Sequence, residues 1–168
     1  VSVIQLMDDG FIRLLDNCLR SSGLAPERLH LEVTESTFVE NKAKVRQQLE
    51  QIQARNIGVS IDDFGTGYSS LSQLQSLPVN YVKIDKSFVD NIEGKGEAII
   101  RATLFIAREL NCKTIAEGVE TKEQAIALSA MGVDYLQGYY FAKPGQQYDI
   151  KIDEFVTNQG KIVFFVMR

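Results

Sequence analysis

Hydrophobic and polar positions alternate along the chain with a regular beat. Phe11, Leu14, Leu15, Cys18 and Leu19 recur at helical spacing and predict an amphipathic helix that stops before Gly23. Arg28 to Val33 then alternates as a half-buried strand does. Val45, Leu49 and Ile52 mark a second helix, stopped near Asn56 and Gly58. Val59 to Asp63 is the next strand and runs into the turn Gly65-Thr-Gly67. Ser69 or Ser70 is placed to cap a short helix carrying Leu71 and Leu74, which Pro78 closes. Tyr81 to Asp85 is a third strand, and after the loop Glu93 to Gly96 a longer helix shows Ile100, Leu104 and Ala107. Lys113 to Glu117 is a fourth strand. Thr121-Lys-Glu-Gln124 is a capping box that opens a helix bearing Ala125, Leu128 and Met131, ended by Gly132. Tyr135 to Gln137 is the last clear strand. Beyond Gln146 the pattern fades to a short helix at Asp149 to Val156 and an apolar run with no assigned place. Strands alternating with helices every ~20 to 32 residues predict a parallel α/β sheet.

Composition narrows this picture. The 168 residues are 45% hydrophobic and 24% charged, which suits one globular domain and excludes a low-complexity chain. No apolar run approaches the ~20 residues of a spanning helix; the closest is Ile162 to Met167. A net charge of −4 and a pI near 5.1 leave no footprint for DNA or RNA polymers, or for anionic lipid. A phosphate-bearing ligand would need something besides net charge to attract it. Cys18 and Cys112 read as free thiols of a reducing compartment, and neither has a histidine or second cysteine at zinc-ligand spacing. The chain opens at Val1 without an initiator methionine and reads as a piece of a longer polypeptide.

The candidate chemistry stands at the strand ends. Glu32 and Glu35 end the first strand, Asp62 and Asp63 the second, Lys83 and Asp85 the third. Glu117 ends the fourth, with Glu120 just beyond, and Gln137 ends the fifth. A parallel sheet gathers these ends on one face. Carboxylates packed that densely raise one another's pKa unless cations neutralise them. The oxygen set Glu32, Asp62, Asp63 and Glu117 suits a hard divalent cation such as Mg²⁺ or Mn²⁺. Two such ions ~3.5 to 4 Å apart form the usual clamp for phosphodiester hydrolysis. One acid alone would read as a loop solubiliser or a cap; Asp85 in particular could cap the turn at Lys86-Ser87, and Lys83 could simply pair with Asp85. Five strand ends behaving alike argue for a site. His30, which shares Glu32's side of its strand, reads as structural. Gly65-Thr-Gly67-Tyr-Ser-Ser70 has the look of a dinucleotide fingerprint, but the third glycine is absent and two aspartates precede the turn.

Five stretches carry a resemblance to a known family: Leu31-Glu-Val-Thr-Glu-Ser36, Ile61-Asp-Asp-Phe-Gly-Thr-Gly-Tyr-Ser-Ser70, Tyr81-Val-Lys-Ile-Asp-Lys86, Ile115-Ala-Glu-Gly-Val-Glu-Thr121 and Leu136-Gln-Gly-Tyr-Tyr-Phe-Ala-Lys-Pro144. In order and spacing they resemble the EAL-domain cyclic di-GMP phosphodiesterases. The resemblance implies a modified TIM barrel with one antiparallel strand, and hydrolysis of cyclic di-GMP to linear pGpG with Mg²⁺ or Mn²⁺, inhibited by Ca²⁺. It implies that Glu32, Asp62 and Asp63 are metal ligands, with Asp62 the bridge, and that Lys83 orients the attacking water. It makes Glu117 a general base or a direct metal ligand. It makes Glu35 the anchor of the loop Phe64 to Ser70, which couples the metal site to homodimerisation, and places Asp85, Glu120 and Gln137 in the metal or substrate shell.

The family's Glu-Ala-Leu strand and the asparagine of its Asn-x-Ser segment are absent, and Val1 to Leu6 resembles the residues just after that asparagine. A closed barrel needs about 220 to 250 residues, so about five to six of the eight βα units are expected. The expectation is a partial EAL domain over 1–168, best matched at 11–144, with a poorly matched tail at 146–168. Its parent is expected in the bacterial cytoplasm, or tethered to the membrane through a segment outside this chain, with an upstream sensory or cyclase domain. The alternative is a catalytically silent cyclic di-GMP receptor or regulatory module, motivated by the two missing ligands.

Overall fold

A computed structural model describes residues 1–34, 42–65 and 77–143. Five parallel strands form one open sheet in sequential order: β1 (His30–Thr34), β2 (Gly58–Phe64), β3 (Tyr81–Ile84), β4 (Lys113–Ala116) and β5 (Tyr135–Leu136). The helices among the described residues are α1 (Val3–Met7), α2 (Phe11–Ser22), α3 (Lys42–Gln53), α4 (Lys86–Asp90), α5 (Lys95–Glu109) and α6 (Lys122–Met131). The short helix expected after Gly67, Glu35 and the tail beyond Gln146 lie outside the described residues. Among those described, no helix is long and apolar enough to cross a membrane.

Local chemistry accounts for the element ends. Gly23 adopts the left-handed conformation (φ 66°) that ends α2, and its N–H donates to the Leu19 carbonyl. At α6 the expected capping box is present: the Thr121 hydroxyl accepts from the Gln124 N–H, and the Gln124 side chain accepts from the Thr121 N–H. Arg28 belongs to a 3-10 turn (Pro26–Arg28) rather than to β1, because Pro26 presets its first residue. Asp85 likewise leaves β3: its side chain caps α4 by accepting from the Ser87 N–H at 3.0 Å and from the Ser87 hydroxyl. The buried stripe of α2 is rotated from the expected one. Phe11, Ile12 and Leu15 are buried, whereas Leu14 is 59% exposed and Cys18 faces solvent.

The helices cover one face of the sheet. Val33, Ile61, Val82, Ile84 and Ala116 point into this layer and are all but inaccessible, against Val45, Leu49 and Ile52 of α3 on one side and Ile100 of α5 and Leu128 of α6 on the other. Complete burial of the valine, leucine and isoleucine side chains, at about 1.5 to 3 kcal/mol each, is the main stabilising term. Side chains alternate along a strand, so the register assigns the other face directly. Glu32 pairs with Ser60 and Ser60 with Tyr81, while Lys83 pairs with Ile115. His30, Glu32, Ser60, Asp62, Tyr81, Lys83, Ile115 and Tyr135 therefore share that face. At its N-terminal end, the His30 and Tyr81 rings lie 5.0 Å apart and those of Tyr81 and Tyr135 6.0 Å apart. Burial pulls the His30 imidazole below its ordinary pKa, in keeping with a neutral packing role.

Candidate metal and catalytic site

At the C-terminal end of the same face, Lys83 is 2% exposed and its ammonium touches carboxylates from three other strand ends. It pairs with Glu32 on β1, with Asp62 on β2 at 3.0 Å, and with Glu117, just past β4, at 2.5 Å. The period of two on each strand produces this convergence, since Glu32, Asp62, Lys83 and Glu117 all fall in the register that faces away from the helices. Burial alone would lower the Lys83 pKa, but the hydrogen bonds that its ammonium donates to Glu117 and Glu32 outweigh it and hold the ammonium well above its ordinary value. Lys83 is therefore charged at every working pH.

Asp62 and Asp63 are consecutive, and on a regular strand their side chains would point to opposite faces. The strand is not regular there. Its pairing to β3 shifts register between Ile61 and Phe64, and Asp63 adopts a left-handed conformation with φ 54°. Aspartate is one of the few residues to tolerate that region. The kink brings one carboxylate oxygen each from Asp62, Asp63 and Glu117 within 4.8 Å of one another. Burial, then the neighbouring Asp62 and Asp85, push the Asp63 carboxyl above its usual range. Burial also pushes Glu117 up, with Lys83 opposing it.

The donor set fits a hard divalent cation. Asp62, Asp63 and Glu117 form the group whose oxygens lie close together, while Glu32 is not among these three and stands beside them on Lys83. Among the described residues the four carboxylates gather around the ammonium of Lys83, leaving a local excess of negative charge. Oxygen donors close enough to share an ion, on an otherwise rigid sheet, are what Mg²⁺, Mn²⁺ or Ca²⁺ requires.

The remaining candidates sit around this cluster. Asp85 is engaged in capping α4 and adds its charge to the field at Asp63. Glu120 pairs with Lys86 at 2.7 Å, and that lysine also reaches Asp90 at 3.1 Å. Gln137 follows β5, tied by its backbone to Ala116 and Val119. Glu35 lies outside the described residues. Sequence reading missed Lys86; the Lys86–Asp90 spacing of four was the available signal, but its link to Glu120 spans two loops.

The sheet, its helices and this acid-rimmed lysine define a TIM-barrel-like α/β protein with a cation-ready carboxylate cluster at the C-terminal ends of its strands. The chain belongs to the EAL domain family, whose model matches residues 1–144. It is 40% identical over 146 residues to the bifunctional diguanylate cyclase/cyclic di-GMP phosphodiesterase MucR of Pseudomonas aeruginosa, covering 86% of this chain and 21% of that protein. Among solved structures it resembles the PaMucR phosphodiesterase in complex with c-di-GMP, with a TM-score of 0.83 and 38% identity over 90% of this chain and 62% of that one. It also resembles Klebsiella pneumoniae BlrP1 in a manganese/cy-diGMP complex, with a TM-score of 0.74 and 30% identity over 83% of this chain and 36% of that one. The chain spans about a fifth of the length of the curated relatives it matches, 18% and 21% for two of them.

Proposed function

We propose that this chain carries the active site of a cyclic di-GMP phosphodiesterase that uses Mg²⁺ or Mn²⁺ to open the cyclic dinucleotide to linear pGpG. The observation that carries the reading is the buried Lys83 ammonium held among Glu32, Asp62 and Glu117, with Asp63 turned to the same side by its left-handed backbone. Related EAL proteins named as phosphodiesterases, and a neighbour solved with manganese and the dinucleotide, support it.

A pair of divalent cations bound there would neutralise the acids, draw in a phosphate and make a bound water more acidic. The chain's own groups do the rest. Glu117, its carboxyl raised by burial, accepts a proton from the attacking water more readily than an ordinary carboxylate. Lys83, fixed by three acids and charged throughout, stabilises the negative charge that builds on the phosphate oxygens. The water oxygen bonds to phosphorus and one ribose P–O bond breaks; the water's second proton stays on the new phosphate, and the proton that Glu117 accepted passes through solvent to the leaving oxygen, which restores the carboxylate. We further propose that the intact protein works as a homodimer in the bacterial cytoplasm, or tethered to the membrane through a segment outside this chain, with an upstream sensory or cyclase domain in control.

The test is a hydrolysis assay on the intact protein with Mn²⁺ or Mg²⁺, repeated with EDTA and with Ca²⁺. Turnover is expected with the first two ions and lost with the others. Glu117→Gln and Asp62→Asn should each lower it by about 10² to 10⁴ while leaving the circular dichroism spectrum unchanged. Tight dinucleotide binding without turnover in any of these ions would refute hydrolysis and make the chain a receptor.

A further inference from the structure

The loop that carries Glu117 is gripped from two sides. Val119 is fully buried, its N–H donating to the Gln137 carbonyl at 3.0 Å and its carbonyl accepting from the Tyr140 N–H at 3.0 Å. Gly138 lies so close that any Cβ there would overlap the Val119 backbone. These contacts hold one flank. The other flank belongs to Gly118, which has φ 65°, and a Cβ on it would run into the Cβ, Cγ and Cδ of Lys86. From there the Lys86 ammonium reaches Glu120 at 2.7 Å and Asp90 at 3.1 Å. A single side chain thus lies across the peptide that follows Glu117 and ties the loop after β4 to the helix after β3.

We propose that Lys86 is a positioning residue for Glu117. Its stem packs over Gly118 and its ammonium clasps Glu120, so the carboxylate of Glu117 is presented to Lys83, Asp62 and Asp63 in one orientation. The assignment rests on the function proposed above and deepens it. Its ion pairs are half-exposed, so they contribute little to stability. Their value is geometric: groups that orient a metal-binding side chain are commonly worth about 10- to 100-fold in metal affinity or activity.

The experiment compares the intact protein with Lys86→Met and Lys86→Arg, following Mn²⁺ binding by electron paramagnetic resonance without nucleotide, and kcat and KM with it. Lys86→Met should weaken Mn²⁺ by about tenfold and lower kcat by a similar factor, with KM within about threefold and the urea midpoint unmoved. Lys86→Arg, which keeps the stem and the charge, should restore both. Lys86→Gln should behave as the methionine variant does. Mn²⁺ affinity within about twofold of the parent in both uncharged variants would overturn the assignment, judged against that same 10- to 100-fold scale. A parent that binds Mn²⁺ but hydrolyses no cyclic di-GMP would overturn the proposed function alone, because the Mn²⁺ comparison still decides the role of Lys86. A parent that binds no Mn²⁺ overturns both.

Discussion

Lys83→Met isolates the electrostatics of the site. Methionine keeps most of the buried stem and removes the ammonium that, among the described residues, pairs with Glu32, Asp62 and Glu117. Deleting one member of a fully buried ion pair costs about 3 to 5 kcal/mol. The three acids keep 19 to 24% of their side-chain surface in water, so the lower end, about 3 kcal/mol, is expected at pH 8. The deficit should shrink as the solution is acidified. Without Lys83 the Glu117 carboxyl, already raised by burial, rises further, and the folded state binds a proton that the unfolded state does not. A folded pKa above the unfolded one confers stability that is present at low pH and lost as pH rises through the folded value, by up to about 1.4 kcal/mol per pH unit for one group. The chain has no tryptophan, so urea unfolding is followed by circular dichroism or tyrosine emission. With a slope of about 2 kcal/mol per M, the variant's midpoint should fall by about 1.5 M at pH 8 in EDTA, and by much less at pH 5. Mn²⁺ at a hundred times its Kd should return about 2.7 kcal/mol. Equal midpoints for parent and variant across this pH range, or a variant midpoint that Mn²⁺ at this excess leaves where it was in EDTA, would refute the electrostatic account.

Two further substitutions probe the frame around the site. Asp134 accepts hydrogen bonds from Lys113 Nζ at 2.7 Å, Thr114 N at 2.9 Å and Thr114 Oγ1 at 3.0 Å. Asp134→Ala should cost about 1 to 3 kcal/mol in urea titrations at pH 7. Burial raises the Asp134 carboxyl, but Lys113 and Thr114 more than reverse this and leave it below the usual range; its contribution is therefore full above the ordinary carboxylate pKa and disappears as pH falls through the lowered folded value. A variant whose deficit is the same at pH 7 and pH 2 would contradict the assignment. Gly96 sits inside α5, where Ala is intrinsically favoured by about 0.8 to 1.0 kcal/mol, yet a Cβ there would overlap the Phe88 carbonyl and the Asn91 backbone. Gly96→Ala should destabilise by about 1 to 3 kcal/mol despite its propensity, and a raised thermal midpoint would show that the contact between α4 and α5 is looser than described.

Legibility in the sequence followed the physics of each element. All five strands were readable because each pairs an apolar alternation with a turn signal, and parallel order followed from the helices between them. The five-residue helices α1 and α4 escaped, being too short for a 3.6-residue period to register. The stripe of α2 was misjudged because Ile12 and Leu14 are equally apolar, and only packing against α3 selects Ile12. In the site, the convergence of Glu32, Asp62, Lys83 and Glu117 could be anticipated from strand-end position. The kink that turns Asp63 toward Asp62 could not, because a left-handed φ at an aspartate leaves no mark on its neighbours. Nor could the pairing of Glu120 with Lys86, which is set by the distance between two loops rather than by spacing along one.

The left-handed aspartate makes the shape of this protein separable from its charge. Asparagine takes the same backbone angles as readily as aspartate, so Asp63→Asn would strip one anion from the rim while leaving the bend of β2 in place. A bulkier or branched replacement would have to straighten the bend first. A single exchange at this position can therefore change the charge of the carboxylate rim without rebuilding the scaffold.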